Sequence, residues 1–547
     1  MNLAQMLLAQ DRQLAMRALR MSALAAITST VCFALITMDA QDADDGNRAS
    51  NTLHVVQFIV ALLLYVFAQR FALNGSARVI ESASHAWRAR LLKKLQSVEL
   101  RSSETIGTQR ILASVFHDTL TIAQAGTSVG VGVQSLVLVV FASAYLAYIS
   151  VTALVLTLAV ATMAAFFYQT HAGSVRKALA SAQERSSDLQ EHIGDFIAGF
   201  RELKLSQPKA ARALVNAIDA SADTMEYRMK AQSEMANDYV FAQMAFFGLL
   251  ATIVYVLPIV KPDSAATISK SVAAVMFLIG PLFGLVASVP QFAVANLASN
   301  SLHDMDVRLD QVSGSVSSTS ASDSRISFES VCMQGVSFTY DANGQSFTTG
   351  PIDFQLRPGE VVFITGSNGS GKTTFFKLLT SLYQPQSGLI KLDEKSVWPG
   401  QVACHRSLFA AVFSDFYLLQ RTLEPAWFTD PWARSWLDRL QLTAKLESMN
   451  GRLVTQGLST GQKKRLALFL ALIEKRPILL LDEWAADQDP QFRRYFYDEL
   501  LPALRDEGKT VVAVTHDEMY FDRADRRLHL SGGLLTEMPR EDMNHGN

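Results

Sequence analysis

Long uncharged stretches punctuate the first part of the chain. Residues 21–38, 53–69, 239–260 and 271–302 contain no Asp, Glu, Lys or Arg. Each is close to or beyond the length of about 20 apolar residues that lets one helix cross a bilayer. Residues 126–170 form an uncharged run of 45, too long for one crossing, so a tight turn is predicted within residues 144–150. Six spanning helices result. The first is preceded by basic residues, yet no small-residue cleavage site stands out before the aspartates that follow it. It reads as a retained span rather than a signal peptide.

Charge is distributed unevenly between the spans. Residues 39–48, DAQDADDGNR, hold four aspartates and only Arg48, whereas residues 75–125 hold Arg78, Arg88, Arg90, Lys93, Lys94, Arg101 and Arg110. Residues 171–238 are basic again, with Arg176, Lys177, Arg185, Arg201, Lys204, Lys209, Arg212, Arg228 and Lys230. Because lysine and arginine stay on the cytoplasmic side, the acidic loop is expected outside. The two basic segments, the N-terminus and everything beyond the sixth span are expected inside. Residues 76–120 contain no proline and repeat apolar positions every three or four residues, so the spanning helices continue into the cytoplasm as long hairpins. Their tips are either solvated or touch another domain. The second reading is favoured, since no other surface offers a route for relaying force.

Past the sixth span the pattern changes. Residues 313–324, SGSVSSTSASDS, lack apolar periodicity and read as a linker. The expected organisation is a transmembrane domain over 1–312, a linker over 313–326 and a second domain over 327–547. In that second domain short β-branched runs alternate with helical stretches, the pattern of an α/β fold with a largely parallel sheet. Composition agrees with a lipid bilayer as partner: 49% hydrophobic residues and a mean hydropathy of +0.16 are high for a soluble protein. A net charge of −2 provides no basic field and argues against a nucleic-acid partner. Cys32, Cys332 and Cys404 have no CxxC spacing or adjacent histidine, which leaves neither a disulfide framework nor a zinc site.

The chemistry lies in the second domain. VVFIT runs into Gly366, Ser367, Asn368, Gly369, Ser370, Gly371, Lys372 and Thr373, which match G-x-x-x-x-G-K-[ST] between a strand and a helix, and Thr374, next in the chain, is a further nucleotide-binding candidate. Glycines let the backbone curl so that N–H groups point at phosphate oxygens, and the helix N-terminus adds positive potential. Lys372 would reach the terminal phosphates and the Thr373 hydroxyl would ligate Mg²⁺. Farther on, ILLLDE is a continuous apolar strand ending in Asp482, placed to hold Mg²⁺ through water, and Glu483, placed to orient an attacking water as general base. A second anion-binding surface is expected at Leu458, Ser459, Thr460, Gly461 and Gln462, where Ser459 can cap the helix that follows. One nucleotide cannot easily use both surfaces of a single chain.

Together these residues resemble the ATP-binding-cassette family. GSNGSGKT corresponds to Walker A, LSTGQ to the signature, ILLLDE to Walker B, and VTHD supplies His516 as the switch histidine. The resemblance covers essentially the whole chain and implies a half-transporter of the type I exporter layout: an α-helical transmembrane bundle of six spans followed by an α/β P-loop cassette. It implies ATP and Mg²⁺ as cofactors, a homodimer with each ATP between Walker A of one chain and the signature of the other, and an inner-membrane location. It also makes Tyr340 the aromatic that stacks on adenine and Asp489 the D-loop aspartate.

The chain departs from the family pattern in three places. The signature's second glycine is Thr460, the usual Ser-Ala-Leu-Asp of the D-loop is Ala486-Asp487-Gln488-Asp489, and the Q-loop glutamine is replaced by Ser414 followed by Asp415. A carboxylate reaches farther than a serine hydroxyl and attracts a cation, so reach alone favours Asp415 for the metal-sensing task. VFSDFYLL, WAADQDPQFRRYFY and GFRELKL resemble the cyclic-peptide and siderophore-precursor exporters, relatives of the pyoverdine and syringomycin exporters. That resemblance implies a peptide-like cargo. A lipid or multidrug exporter is the alternative within the class, and a membrane-anchored ATPase that signals or gates without cargo is the alternative outside it.

Overall fold

The computed structural model describes residues 5–6, 11–44, 52–260, 265–312, 327–342, 345–398, 400–418, 430–443, 448–449, 452–453 and 457–539. The linker expected over 313–326, and part of the acidic loop between the first two spans, lie outside the described residues. Among the described residues, six helices are long and apolar enough to cross a membrane: Arg12–Asp39, Thr52–Ser97, Thr108–Ile149, Val151–Ala198, Gln207–Val260 and Thr267–Val312. The 45-residue uncharged run is divided at a single residue. Ser150 adopts an extended conformation (φ −156°, ψ 114°), closes one helix, and caps the next by accepting the Ala153 N–H through its side chain.

The helix Thr52–Ser97 has 46 residues and the helix Val151–Ala198 has 48. At 1.5 Å per residue each is roughly 70 Å long, more than twice the hydrocarbon thickness of about 30 Å, so both project far beyond it. In the spanning region the outward faces remain apolar, as at Leu63, Phe67 and Val140, each at least 60% exposed, which suits a helix solvated by lipid. Past that region ion pairs take over. Arg90 and Lys94 of the second spanning helix both engage Asp306 of the sixth, which is buried; the Arg90 pair is 2.7 Å apart.

The chain divides into two compact units: Met1–Leu95 with Gly107–Gln311, and Gln96–Ile106 with Val312–Asn547. A short piece at and beyond the end of the second spanning helix thus belongs to the second unit. In it, Leu100 packs against the apolar core around Phe338, Phe376 and Leu379, and the Arg101 guanidinium lies 4.8 Å over the Phe338 ring. Glu104 accepts hydrogen bonds from the Tyr383 hydroxyl and, at 3.0 Å, from Lys377.

Among the described residues, twelve strands build the second unit. In chain order they are β1 (Val331–Ala342), β2 (Gln345–Leu356), β3 (Val361–Thr365), β4 (Ser387–Leu392), β5 (Lys395–Ser396), β6 (Phe409–Val412), β7 (Ser448–Met449), β8 (Arg452–Leu453), β9 (Ile478–Asp482), β10 (Thr510–Val514), β11 (Arg526–Ser531) and β12 (Leu534–Met538). The main sheet has the order β12-β11-β3-β10-β9-β6, parallel except for the β11–β12 hairpin. A smaller antiparallel sheet has the order β2-β1-β4-β5. Every residue of β3, β9 and β10 is buried, which explains why they read as unbroken apolar runs rather than alternating ones.

Candidate functional site

Four segments remote in sequence leave neighbouring parallel strands at the same edge. Gly366 follows β3, His516 follows β10, Glu483 follows β9 and Ser414 follows β6, and the order β3-β10-β9-β6 sets them side by side. The carboxyl edge of such a sheet is where ligands bind in open α/β folds.

The cradle after β3 requires glycine for steric reasons. Gly366, Gly369 and Gly371 have φ of +151°, +78° and +104°. A Cβ at Gly366 would lie 2.2 Å from the Leu530 carbonyl oxygen, and one at Gly371 would lie 2.8 Å from the Thr349 hydroxyl. Lys372 opens the helix Lys372–Leu379, is 6% exposed, and donates to the carbonyls of Gly366 (2.8 Å) and Ser367 (3.0 Å). Its ammonium is thereby folded back over the loop that would receive a phosphate. Ser367, Asn368 and Gly369 are exposed along the turn, and Thr374 is buried behind it.

Glu483 sits where the lysine and the histidine meet. Its carboxylate is 3.7 Å from Lys372 Nζ and 3.5 Å from His516 Nε2. Its backbone is left-handed, with φ of +51°. A non-glycine residue in that region costs about 1–3 kcal/mol and persists only where its surroundings impose it. Here the N–H of Glu483 donates to Val514 O at 3.2 Å and its carbonyl accepts from Lys464 Nζ at 2.7 Å.

Asp482, the last residue of β9, is 2% exposed. Burial pushes its carboxyl above the usual carboxylate range; the Thr373 hydrogen bond opposes this, the charge of Glu483 adds to it, and Ser414 opposes it in turn. Thr373 donates to Asp482 Oδ2 at 3.0 Å, and Ser414 to the same oxygen at 3.4 Å. Two hydroxyls and a carboxylate converging at a buried acid are a hard-oxygen donor set that fits Mg²⁺. Reach alone favoured Asp415, but the geometry is different. Ser414 and Asp415 are both exposed residues, yet only Ser414 bonds Asp482; Asp415 has no hydrogen bond or ion pair among the described residues.

Tyr340 lies near the end of β1, half-buried, its ring 5.1 Å from Phe338 and 5.8 Å from Tyr383. Tyr383, which bonds Glu104, therefore also abuts the aromatic expected at adenine. The signature lies elsewhere. Ser459 caps the helix Thr460–Ile473 with a complete capping box, its side chain accepting from Gln462 N at 3.3 Å while Gln462 Oε1 accepts from Ser459 N at 3.0 Å. Among the described residues, no hydrogen bond or ion pair joins Leu458, Ser459, Thr460, Gly461 or Gln462 to the cradle of the same chain.

Behind the signature is a polar network that sequence reasoning missed. Lys464 pairs with Asp487 at 2.7 Å, and Arg465 bonds Gln488 Oε1 and Asp489 Oδ2, each at 2.8 Å. Gln488 also donates to Gly461 O at 3.2 Å. Asp489 caps its own helix by accepting from Phe492 N at 2.9 Å. The signal was present in KKR near the start of a helix, where the dipole gives cations no help, so acids elsewhere must neutralise them.

The ABC transporter family matches residues 349–486, and the ABC transporter transmembrane region matches residues 15–286. ATP-binding protein SyrD of Pseudomonas syringae pv. syringae is 32% identical over 494 residues, covering 87% of this chain and 86% of that protein. An ATP-dependent lipid A-core flippase of Methylobacillus flagellatus is 24% identical over 521 residues, covering 91% of this chain and 86% of the flippase. Among solved structures, a bacterial Atm1-family ABC exporter with ATP bound shares the fold, with a TM-score of 0.77 at 16% identity over 97% of this chain and 96% of that one. A spanning-helix bundle joined to a nucleotide cassette, together with full-length likeness to SyrD, makes this chain a member of the ABC transporter family, a multi-pass exporter half-transporter whose cassette binds ATP and couples its hydrolysis to transport.

Proposed function

We propose that the chain works as a homodimer that exports a cyclic peptide, siderophore precursor or related peptide across the bacterial inner membrane, with its N-terminus and cassette in the cytoplasm. The observation that carries the ATPase half of this reading is the convergence of Lys372, Glu483 and His516 at adjacent strand ends. Gly366 to Thr374 hold the phosphates, Tyr340 stacks on adenine, and Lys372 turns from the loop carbonyls to the terminal phosphates. Thr373 and Asp482 would hold Mg²⁺, with Ser414 beside them; the ion would supply positive charge that offsets the negative charge of the phosphates. Glu483 accepts a hydrogen bond from the attacking water, and His516 orients that water and the γ-phosphate. Leu458 to Gln462 and Asp489 serve the ATP held by the partner, consistent with their having no bond, among the described residues, to the cradle of their own chain. The working division is a transmembrane domain over 1–312, a linker over 313–326 and a cassette over 327–547. Gln96–Ile106 works with the cassette, where Glu104 meets Tyr383 and Lys377.

Two observations support a peptide cargo. VFSDFYLL, WAADQDPQFRRYFY and GFRELKL resemble the peptide-exporter subfamily, and SyrD is 32% identical over 87% of this chain, whereas a lipid A-core flippase reaches 32% over 39% of it and another falls to 24% over 91%. ATP-driven accumulation in inside-out proteoliposomes tests the cargo directly. An amphipathic cyclic lipopeptide should accumulate and a lipid A analogue should not. The opposite selectivity establishes the lipid reading, and hydrolysis with accumulation of neither establishes a gating ATPase.

The Q-loop position carries its own expectation. Ser414→Ala removes a hydroxyl bonded to Asp482 and should lower Mg²⁺-dependent hydrolysis by roughly threefold to tenfold, the worth of one such bond. Asp415→Ala should stay within about twofold of wild type, as substitution of an exposed residue away from any network does. Steady-state ATPase assays decide, and the reverse ranking would return the task to Asp415.

A further inference from the structure

We infer that Lys464 is a positioning residue for hydrolysis: it holds Glu483 in its left-handed conformation and ties that conformation to the signature helix. Lys464 lies on the helix Thr460–Ile473, one turn beyond Thr460, and is 4% exposed. Both its side chain and its backbone are tied to the strand end across from it. Its ammonium donates to the Glu483 carbonyl at 2.7 Å, and the same ammonium pairs with Asp487 Oδ2 at 2.7 Å. Its own carbonyl accepts from Trp484 Nε1, again at 2.7 Å. The residues gripped are Glu483, the one after it, and Asp487, one of the three D-loop residues that depart from the family pattern.

A glutamate at φ +51° relaxes toward negative φ unless something holds the two peptide groups that flank its Cα. Val514 holds the N–H side, and Lys464 holds the carbonyl side. Rotation about φ would swing the carboxylate away from the point between Lys372 and His516 where it now sits. A displacement of about 1 Å at a reacting centre can cost on the order of a hundredfold in rate. A buried ammonium also needs a counter-charge, and Asp487 supplies one where the family has alanine, so the D-loop departure and the buried lysine explain each other.

The same helix begins at Ser459 and Gly461, and Gly461 is pressed against the D-loop: a Cβ there would lie 2.8 Å from Asp487 O. Movement of the signature when it meets the partner's ATP is therefore delivered through Lys464 to the carbonyl of this chain's Glu483.

The inference rests on Glu483 being the base, and the test separates the two ideas. Lys464→Met and Lys464→Gln are compared with wild type and Glu483→Gln in the reconstituted full-length transporter. ATP turnover and the affinity for a non-hydrolysable ATP analogue are measured for each. Methionine fills the space without a donor, so kcat should fall by roughly tenfold or more while analogue affinity changes less than about threefold. Glutamine keeps an N–H for the Glu483 carbonyl, so it should recover most of the rate. An unchanged kcat in Lys464→Met overturns the inference, as does an equal loss in both variants, which would mean that packing or charge matters and the bond does not. If Lys464→Met does not accumulate folded, Lys464→Ser, whose hydroxyl stops short of the carbonyl, replaces it under the same criteria. An active Glu483→Gln removes the base assignment itself, whereas an inactive Glu483→Gln beside an active Lys464→Met removes only the clamp.

Discussion

Replacing Glu483 by glutamine should abolish turnover while leaving ATP binding intact. The substitution keeps side-chain length, the φ of +51° and the backbone bonds to Val514 and Lys464, and it removes only the negative charge. Lys372 loses a carboxylate 3.7 Å away, which leaves it freer to serve phosphate. The amide cannot accept a proton from water, so the loss should match that of a general base, on the order of 10²–10⁴ in kcat. Because hydrolysis would normally reopen the nucleotide sites, ATP should be trapped and a closed dimer should accumulate. Measured hydrolysis within several-fold of wild type would sink the assignment, and loss of ATP binding would show that Glu483 supports the cradle rather than the chemistry.

Much of this site is legible in the sequence because its parts are local. The cradle is nine consecutive residues that run from the end of a strand into the first turn of a helix, and the two acids stand at and just past the end of a strand whose burial on both faces makes it an unbroken apolar run. The spanning helices are legible for a related reason: lipid tolerates no charge, so its absence from long stretches is itself the signal. What escaped the sequence depends on register between distant elements. Whether Ser414 or Asp415 faces Asp482 is decided by the pairing of β6 with β9, where Val412 stands opposite Leu481, and no spacing in the chain encodes that. Nor does any spacing in the sequence signal that Glu104 meets Tyr383, 279 residues away. Glu483's left-handed backbone is invisible to composition, since glutamate gives no hint of positive φ, and with it Lys464 was hidden as one more cation.

Lys372→Ala should act on affinity first. In this structure the ammonium bridges the Gly366 and Ser367 carbonyls and neighbours the Glu483 carboxylate, so it is already at the cradle and needs only rotation of its own side chain to meet a phosphate. Hydrogen bonds to charged groups contribute about 1.5–3 kcal/mol, so their loss should raise the Kd for ATP by roughly 10- to 150-fold. Part of the site survives, because the N–H groups of the glycine turn and the start of the helix Lys372–Leu379 do not depend on the lysine side chain. Residual binding should therefore be measurable. The two carbonyls left behind differ: Ser367 is exposed and can turn to water, whereas Gly366 is buried beside Leu530. Nucleotide-free stability should fall modestly, by about 1–2 kcal/mol for one under-satisfied acceptor. Titration with a fluorescent ATP analogue and a thermal melt of the nucleotide-free protein separate these two effects. Wild-type affinity in the mutant would mean that the lysine holds the loop and does not touch the phosphates, and the reading of the cradle would then have to rest on its backbone alone.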